Sequence, residues 1–504
     1  MQNVDALLDN AQAAAREFRH YSEAQVKRIV DAVADSTVET AEFYSEWAVR
    51  ETGKGRIADK TVKKILTAEQ FKAENVADYV RYRVDADNKL VCFPKPAGVV
   101  MTLIPVTNPV STVVFKALSA IITRNAVVLS PHPGAKDCST HAADHFIRIA
   151  EAAGAPKNII QIVREPSVPL VNQIMGDDRT DVILATGGPA MVRAAYSSSN
   201  PALGVGPGNV PAYVDRTANV PKAAERIVKS LGFDNGMPCT TESVAIADRP
   251  IAAQLLEEMR RAGAYMITDP GERDKLRAFM YPEGKFDPEV IGKDASWIAA
   301  QAGFQVPEET LILGVPIDHV GQDEPFSKEK LCPVIGFIEA DGGEAGTQIA
   351  LDMLNLMGAG HSAVIHANNP ELVASWGAAL PVCRISVNTQ GVLGSSGYTT
   401  SLVSSAVIGT GFFGRSSVDV NVGPEQLLQW TRVAYNKDPS EMFGDMESAA
   451  ARVQERLDLQ ARSPQQVLDA VAAQSDVSTS REELKGLLRE VLADELRAML
   501  RQSR

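Results

Sequence analysis

From about residue 98 to residue 215 the chain alternates between two hydrophobic periods, and no other feature constrains its fold as tightly. "KPAGVVMTLIPVTNP" and "AVVLSPHP" are short apolar, β-branched runs broken by proline and glycine, which reads as strands and turns. Between them "TNPVSTVVFKALSAIITRN" returns to helical spacing, and "STHAADHFIRIAEAAG" is a helix that glycine stops. "IIQIV" and "DVILAT" follow as strands, each joined to helical sequence. Strands separated by helical crossovers lie parallel, so this region predicts a doubly wound α/β sheet.

The alternation continues less regularly from 211 to about 400. "VPAYVD", "SVAIA", "TLILGV", "SAVIHA" and "RISVN" are its strands, and they predict a second α/β unit. Residues 1 to 80 read as helices, since "AQVKRIVDAVADSTVETAEFYSEWAV" keeps near 3.6 spacing without a proline. A chain of 504 residues is too long for one ordinary core, so two or three domains are expected. Beyond about 440 the composition turns helical and charged, then passes through the polar linker "SDVSTS". The last segment, "REELKGLLREVLADELRAMLRQ", opens on a capping box of Ser480 with Glu483. From Leu484 to Leu500 it carries a stripe of large apolar residues on one face, which calls for a partner.

Charge and composition exclude several classes. A net charge of -13 argues against a nucleic-acid footprint, which needs a basic face. No apolar run approaches the roughly 18 residues of a membrane helix. The start, "MQNVDALLDNAQAAAREFRHYS", has no basic region followed by an apolar run, so no secretory signal is expected. Five widely spread cysteines, odd in number, read as reduced thiols of a cytoplasmic protein.

Three places could carry chemistry. In "LGFDNGMPCTTESVAI" a single thiol, Cys239, follows a Gly-Met-Pro bend between a helix and a strand-like run. A nucleophilic thiol must be exposed, with its charged form favoured, and unpaired N–H groups at the bend could hold a negative oxygen. The alternative is a buried structural cysteine. In "IPVTNPVST", Asn108 stands between a strand and a helix starting near Ser111, where its amide could point into a cleft or merely shape a turn. In "VILATGGPAMVRAAY" a strand runs into Gly187 and Gly188 and then a helix, a place where backbone approaches a dinucleotide. It lacks the full G-x-G-x-x-G fingerprint. "GVGPGN" at 204 to 209 leads into a strand, so it is not read as a phosphate loop. Cys138, His141 and His145 share helical spacing, but no fourth ligand accompanies them, so no metal site is expected.

Taken in order, these pieces resemble the aldehyde dehydrogenase superfamily, and within it the CoA-acylating branch, over about residues 10 to 435. "KPAGVVMTLIPVTNPVST" resembles the strand leading to the family's oxyanion asparagine, which implies that role for Asn108. "ILATGGPAMV" is similar to the loop under the nicotinamide ribose, implying Thr186, Gly187 and Gly188 as cofactor contacts. "GMPCTTESVAI" matches the nucleophile segment, and "EKLCPVIGF" the segment whose glutamate holds that ribose, here Glu329. "GAGHSAVIHA" and "NVGPEQLL" resemble the acylating branch in particular; the first contains His361, a residue that would position CoA or simply belong to the core.

Two departures inform the reading. Where hydrolytic members carry Glu-Leu-Gly-Gly-Lys, this chain has "LGVGPGNVP", Leu203 to Pro211, with no carboxylate to activate water. Losing a general base slows attack by water about 10² to 10⁴-fold, which favours a thiol such as CoA as acceptor. Where relatives carry Lys-Pro-Ser/Ala-Glu, it has "LSPHPGAK", leaving His132 and Lys136 as the adenosine-side candidates.

The resemblance implies an aldehyde dehydrogenase-like fold: a Rossmann-type cofactor domain over 1–210 with the N-terminal helices, and an α/β catalytic domain over 211–400. A segment at 401–440 would return to the cofactor domain or an oligomer contact, and a helical extension would fill 441–504. The implied reaction is oxidation of a small aldehyde to acyl-CoA through a Cys239 thioester, with NAD or NADP as cofactor and CoA as co-substrate. A homo-dimer or tetramer is implied. The helix at 481–502 resembles segments that dock relatives to bacterial microcompartment shell proteins. The alternatives are a hydrolytic aldehyde dehydrogenase and a catalytically idle scaffold carrying a partner-binding helix.

Overall fold

The strands in chain order are β1 (Arg83–Asp85), β2 (Leu90–Pro96), β3 (Val99–Ile104), β4 (Ala126–Pro131), β5 (Ile160–Ile162), β6 (Val182–Thr186), β7 (Ala202–Val205) and β8 (Val210–Val214). They continue as β9 (Glu242–Asp248), β10 (Ala264–Met266), β11 (Ile312–Pro316), β12 (Val334–Ala340), β13 (Ala363–His366), β14 (Ile385–Val387) and β15 (Leu428–Ala434). The structure is a computed structural model and describes residues 3–438, 440 and 444–460.

Strands β3 to β7 form one parallel sheet in the order β5-β4-β3-β6-β7. Every residue of β3 and β4 is buried, because helices cover both faces, and the strands accordingly read as unbroken apolar runs. Strand order reverses between β3 and β6, so the helices leave on opposite sides there. That opens a crevice at the carboxyl ends of these two strands. Beneath it the buried Lys116 donates to the Leu103 and Leu184 carbonyls, at 2.7 and 3.0 Å, and ties β3 to β6.

Seven further strands make a second parallel sheet in the order β10-β11-β12-β9-β8-β13-β14. The periodicity finds β8, β9, β11, β13 and β14. It passes over β10, which has only three residues, and β12, an almost continuous apolar run that follows directly on a proline turn. A third, antiparallel sheet has the order β1-β2-β15, with Leu428–Ala434 pairing along Leu90–Pro96.

The N-terminal region is helical as expected, with helices Val4–Phe18, Glu23–Thr52 and Ile57–Ala73. The last of these buries Lys60 and Lys64 on its inner face. Cys138, His141 and His145 sit on the helix Lys136–Ala152 and are used in packing: Tyr44 Oη meets His141 Nδ1 at 3.0 Å and Ser36 Oγ meets His145 Nε2 at 2.7 Å. No metal-holding cluster exists among the described residues. No described helix is long and apolar enough to cross a membrane. The described chain closes on the helix Met446–Gln460; the predicted helix at 481–502, its capping box and its linker lie outside the described residues.

Candidate active site

A cleft of about 540 Å³ opens where the carboxyl ends of β3, β4 and β6 face the amino ends of β8 and β9. It is lined from one side by Ile104, Asn108, His132, Thr186, Gly187 and Gly188, and from the other by Pro207, Cys239, Thr240 and Glu329. Apolar groups, including Leu66, Phe233, Val392, Leu393 and Ile408, make up much of the remaining wall.

Cys239 reaches the cleft on a strained turn. The helix Val220–Gly232 ends, and Asp234, Asn235 and Gly236 then adopt left-handed backbone in succession, with φ of 49°, 54° and 68°. Such conformations cost about 1–2 kcal/mol at each non-glycine residue, so neighbours must hold them. Arg56 N–H donates to Asp234 Oδ1 at 2.8 Å, Asp234 N–H donates to Asp59 Oδ2 at 2.8 Å, and Asn235 Nδ2 donates to the Gly292 carbonyl at 3.0 Å. The bend therefore belongs to Asp234–Gly236 more than to Gly236 and Pro238. The Cys239 N–H turns toward its own sulfur and has no other partner among the described residues.

The electrostatics differ from the expectation that the thiolate is favoured. Cys239 is half-buried at the cleft floor, and its thiol is pushed up to about 12 by burial first and by Glu329 next; Arg384 and its own N–H only partly oppose this. Glu329 is itself pushed up to about 8 by burial, against the Gly208 N–H that donates to its Oε1 at 3.0 Å. The reason is shared. Both groups sit deep between two packed sheets, and neither has a cation close enough to repay the lost hydration.

Gly208 explains how the segment Leu203–Pro211 bears on this site. A Cβ there would lie 2.2 Å from the Cys239 carbonyl oxygen and 3.1 Å from Glu329 Oε1, so only glycine lets the segment press against the nucleophile loop. "GVGPGN" runs directly into β8, as its sequence suggests. Among the described residues lining the cleft, Glu329 is the one carboxylate.

The remaining candidates divide. Asn108 is the N-cap of the helix Pro109–Ile122, yet its side chain makes no cap hydrogen bond and lines the cleft. Among the described residues, Thr186 Oγ1 is buried without a partner, and a Cβ on Gly188 would meet nothing within 4 Å. His132 lines the cleft and is half-occupied locally, accepting from Gly134 N–H at 3.0 Å. Lys136 does not line it and is paired to Glu165 at 3.0 Å. His361 is also off the cleft: it is fully buried, its Nδ1 lies 2.9 Å from Ser362 Oγ, and burial and Arg384 bring its ring down to about 3. Sequence reasoning missed Lys63, Phe233 and Tyr398, all of which line the cleft. Lys63 was hidden because a lysine on an amphipathic helix reads as solvated; its only signal is a place beside the buried Lys60 and Lys64.

Fold and cleft together define an α/β protein that presents a cysteine to the crevice where a doubly wound sheet reverses its strand order. The sequence profile of the Aldehyde dehydrogenase family matches residues 1–276, and the chain belongs to that family. It is 36% identical over 461 residues to aldehyde-alcohol dehydrogenase 2 of Entamoeba histolytica, a match covering 88% of this chain and 52% of that protein. The chain thus spans about half the length of the aldehyde-alcohol dehydrogenases it matches. It is 33% identical over 441 residues to the acetylating succinate-semialdehyde dehydrogenase of Clostridium kluyveri, covering 86% of this chain and 96% of the relative. An acetylating aldehyde dehydrogenase structure from Geobacillus thermoglucosidasius superposes with a TM-score of 0.83 at 36% identity, over 88% of this chain and 98% of that one. A propionaldehyde dehydrogenase of Rhodopseudomonas palustris, solved with CoA and an acylated cysteine, gives a TM-score of 0.80 at 25% identity, over 86% and 97%.

Proposed function

We propose that this protein oxidises a small aldehyde to its acyl-CoA, using Cys239 as nucleophile and a nicotinamide dinucleotide as acceptor. The observation that carries the reading is the placement of Cys239 and Asn108 in one cleft whose only described carboxylate is Glu329, uncharged through most of the neutral range. The residues present fit a dinucleotide: among the described residues Thr186 Oγ1 lacks a partner, and none crowds the space beside Gly188, where a ligand can approach the backbone. When bound, the nicotinamide supplies a hydride acceptor.

The chain's own groups do the rest. The Cys239 thiol gives up its proton to solvent as its sulfur adds to the aldehyde carbon, and the resulting oxyanion accepts from Asn108 Nδ2 and the Cys239 N–H. Loss of hydride from that carbon leaves a thioester on Cys239. The CoA thiol attacks this carbonyl and expels Cys239, so no activated water is needed. The sheet β3–β7 serves cofactor binding and the sheet β8–β14 carries the nucleophile.

The decisive experiment measures NADH formation with C2 to C4 aldehydes in the presence and absence of CoA. Acyl-CoA formation that requires CoA is expected. CoA-independent release of free acid would instead support a hydrolytic enzyme, with Glu329 as the base. Cys239→Ala is expected to abolish turnover and Asn108→Ala to lower it about 10² to 10³-fold. A scaffold would bind no NAD and show no iodoacetamide-sensitive activity.

The apolar stripe between Leu484 and Leu500 supports a further part of the proposal, docking to a microcompartment shell protein. Deleting 476–504 is expected to leave activity intact while abolishing co-localisation with shell proteins; loss of folding would favour packing on the subunit itself.

A further inference from the structure

We infer that Lys63 is a positioning residue for Asn108, fixing the amide so that its N–H donors face the cleft. The inference rests on the oxyanion role proposed above for Asn108. Lys63 stands on the helix Ile57–Ala73 and lines the cleft, its side chain 18% exposed. Its Nζ donates to Asn108 Oδ1 and to Asp234 Oδ2.

Donor chemistry decides the orientation. An ammonium group has three donors and no acceptor, so only the oxygen of the amide can face it. The Asn108 NH₂ then points away from Lys63, and it has no partner among the described residues. An N-cap asparagine ordinarily spends its oxygen on the first turn of its helix. Asn108 makes no such bond, because Lys63 takes that oxygen. A cation on the oxygen also polarises the amide, which strengthens its N–H donors.

Asp234 holds the ammonium in place. This carboxylate is wholly buried; burial alone would raise it, but Lys63 and Lys60 bring it below the usual carboxylate range. Lys60 Nζ donates to Asp234 Oδ2 at 3.1 Å and to the Thr107 carbonyl, beside Asn108, at 2.9 Å. Lys63 thus links the asparagine that follows β3 to the turn that carries Cys239 toward β9. Its removal leaves Asp234 paired with Lys60, so the fold is expected to survive.

The test compares Lys63→Met, Lys63→Arg, Asn108→Ala and the double variant Lys63→Met/Asn108→Ala in the full-length enzyme. Lys63→Met is expected to lower kcat about 10- to 100-fold, the worth of one charge-assisted hydrogen bond. KM for aldehyde and cofactor and the thermal midpoint should stay near those of the parent. Lys63→Arg should recover much of the rate, and Lys63→Met should cost little more once Asn108 is alanine. If Lys63→Met does not fold, Lys63→Gln is measured in its place, with a loss in kcat again expected. A parent-like kcat on removing the charge, or an equal loss with and without Asn108, would overturn the inference. A parent-like Asn108→Ala enzyme would overturn the oxyanion reading and the inference together, whereas an impaired one beside parent-like Lys63→Met would overturn the inference alone.

Discussion

At Cys239 the thiol and a carboxyl compete for the same poorly hydrated space, and pH separates their effects. Burial raises both groups, and the Glu329 charge adds to the thiol's shift only while Glu329 is ionised, above about 8. Glu329→Gln should therefore react with iodoacetamide at Cys239 like the parent at pH 6 to 7 and severalfold faster above pH 9. Mass spectrometry of the Cys239 peptide follows this; a rate ratio flat across that range would remove Glu329 as the cause. Glu242, on β9, gives a stability test. It is wholly buried, with Oε1 accepting from Gly391 N–H at 2.8 Å and Oε2 unpartnered among the described residues, and burial raises it from 4.5 to about 7. The folded-state value lies above the ordinary one, so the fold is favoured while Glu242 is protonated, and that advantage is lost as pH rises through 4.5 to 7. The linked loss is about 3 kcal/mol by pH 8. Glu242→Gln does not ionise, so its thermal midpoint should gain on the parent's between pH 5 and 8. A constant gap would sink the argument.

At the scale of elements, the site depends on segments that touch without belonging to any strand or helix. The loop between β7 and β8 packs Gly208 against the Cys239 carbonyl, an atom that cannot move without the nucleophile moving too. Gly208→Ala should lower kcat at least about tenfold and destabilise the fold by about 1–3 kcal/mol, as overpacking does. Unfolding and rate measurements on the same preparation check both; an unaffected enzyme would mean the loop gives way freely. The longer elements were legible in advance because their cores are simple. β3, β4 and β6 are apolar runs between turn residues, and the helix Pro109–Ile122 is buried along its whole length. The turn Asp234–Gly236 was legible only in part: Asp, Asn and Gly tolerate left-handed backbone better than other residues, but the partners that hold them there lie 57 to 178 residues away.

At the scale of the whole molecule, a ligand held by both sheets should bind the folded chain and not the unfolded one. At about 100 times its dissociation constant, such a ligand adds about 2.7 kcal/mol and raises the thermal midpoint. Titrating NAD and NADP separately reads out which nicotinamide the cleft takes, and no shift with either would remove the cleft as a cofactor site. By itself, the sequence determined the alternation of strand and helix, the parallel sheets and the family resemblance, because hydrophobic period and turn chemistry act over a few residues. Only the tertiary structure decided that Lys63, Asn108, Asp234 and Cys239 are neighbours, that His361 and Lys136 stand off the cleft, and that the thiol is disfavoured as an anion. Those properties follow from burial and from charges brought together by sheet packing, and neither has a value until the chain has closed.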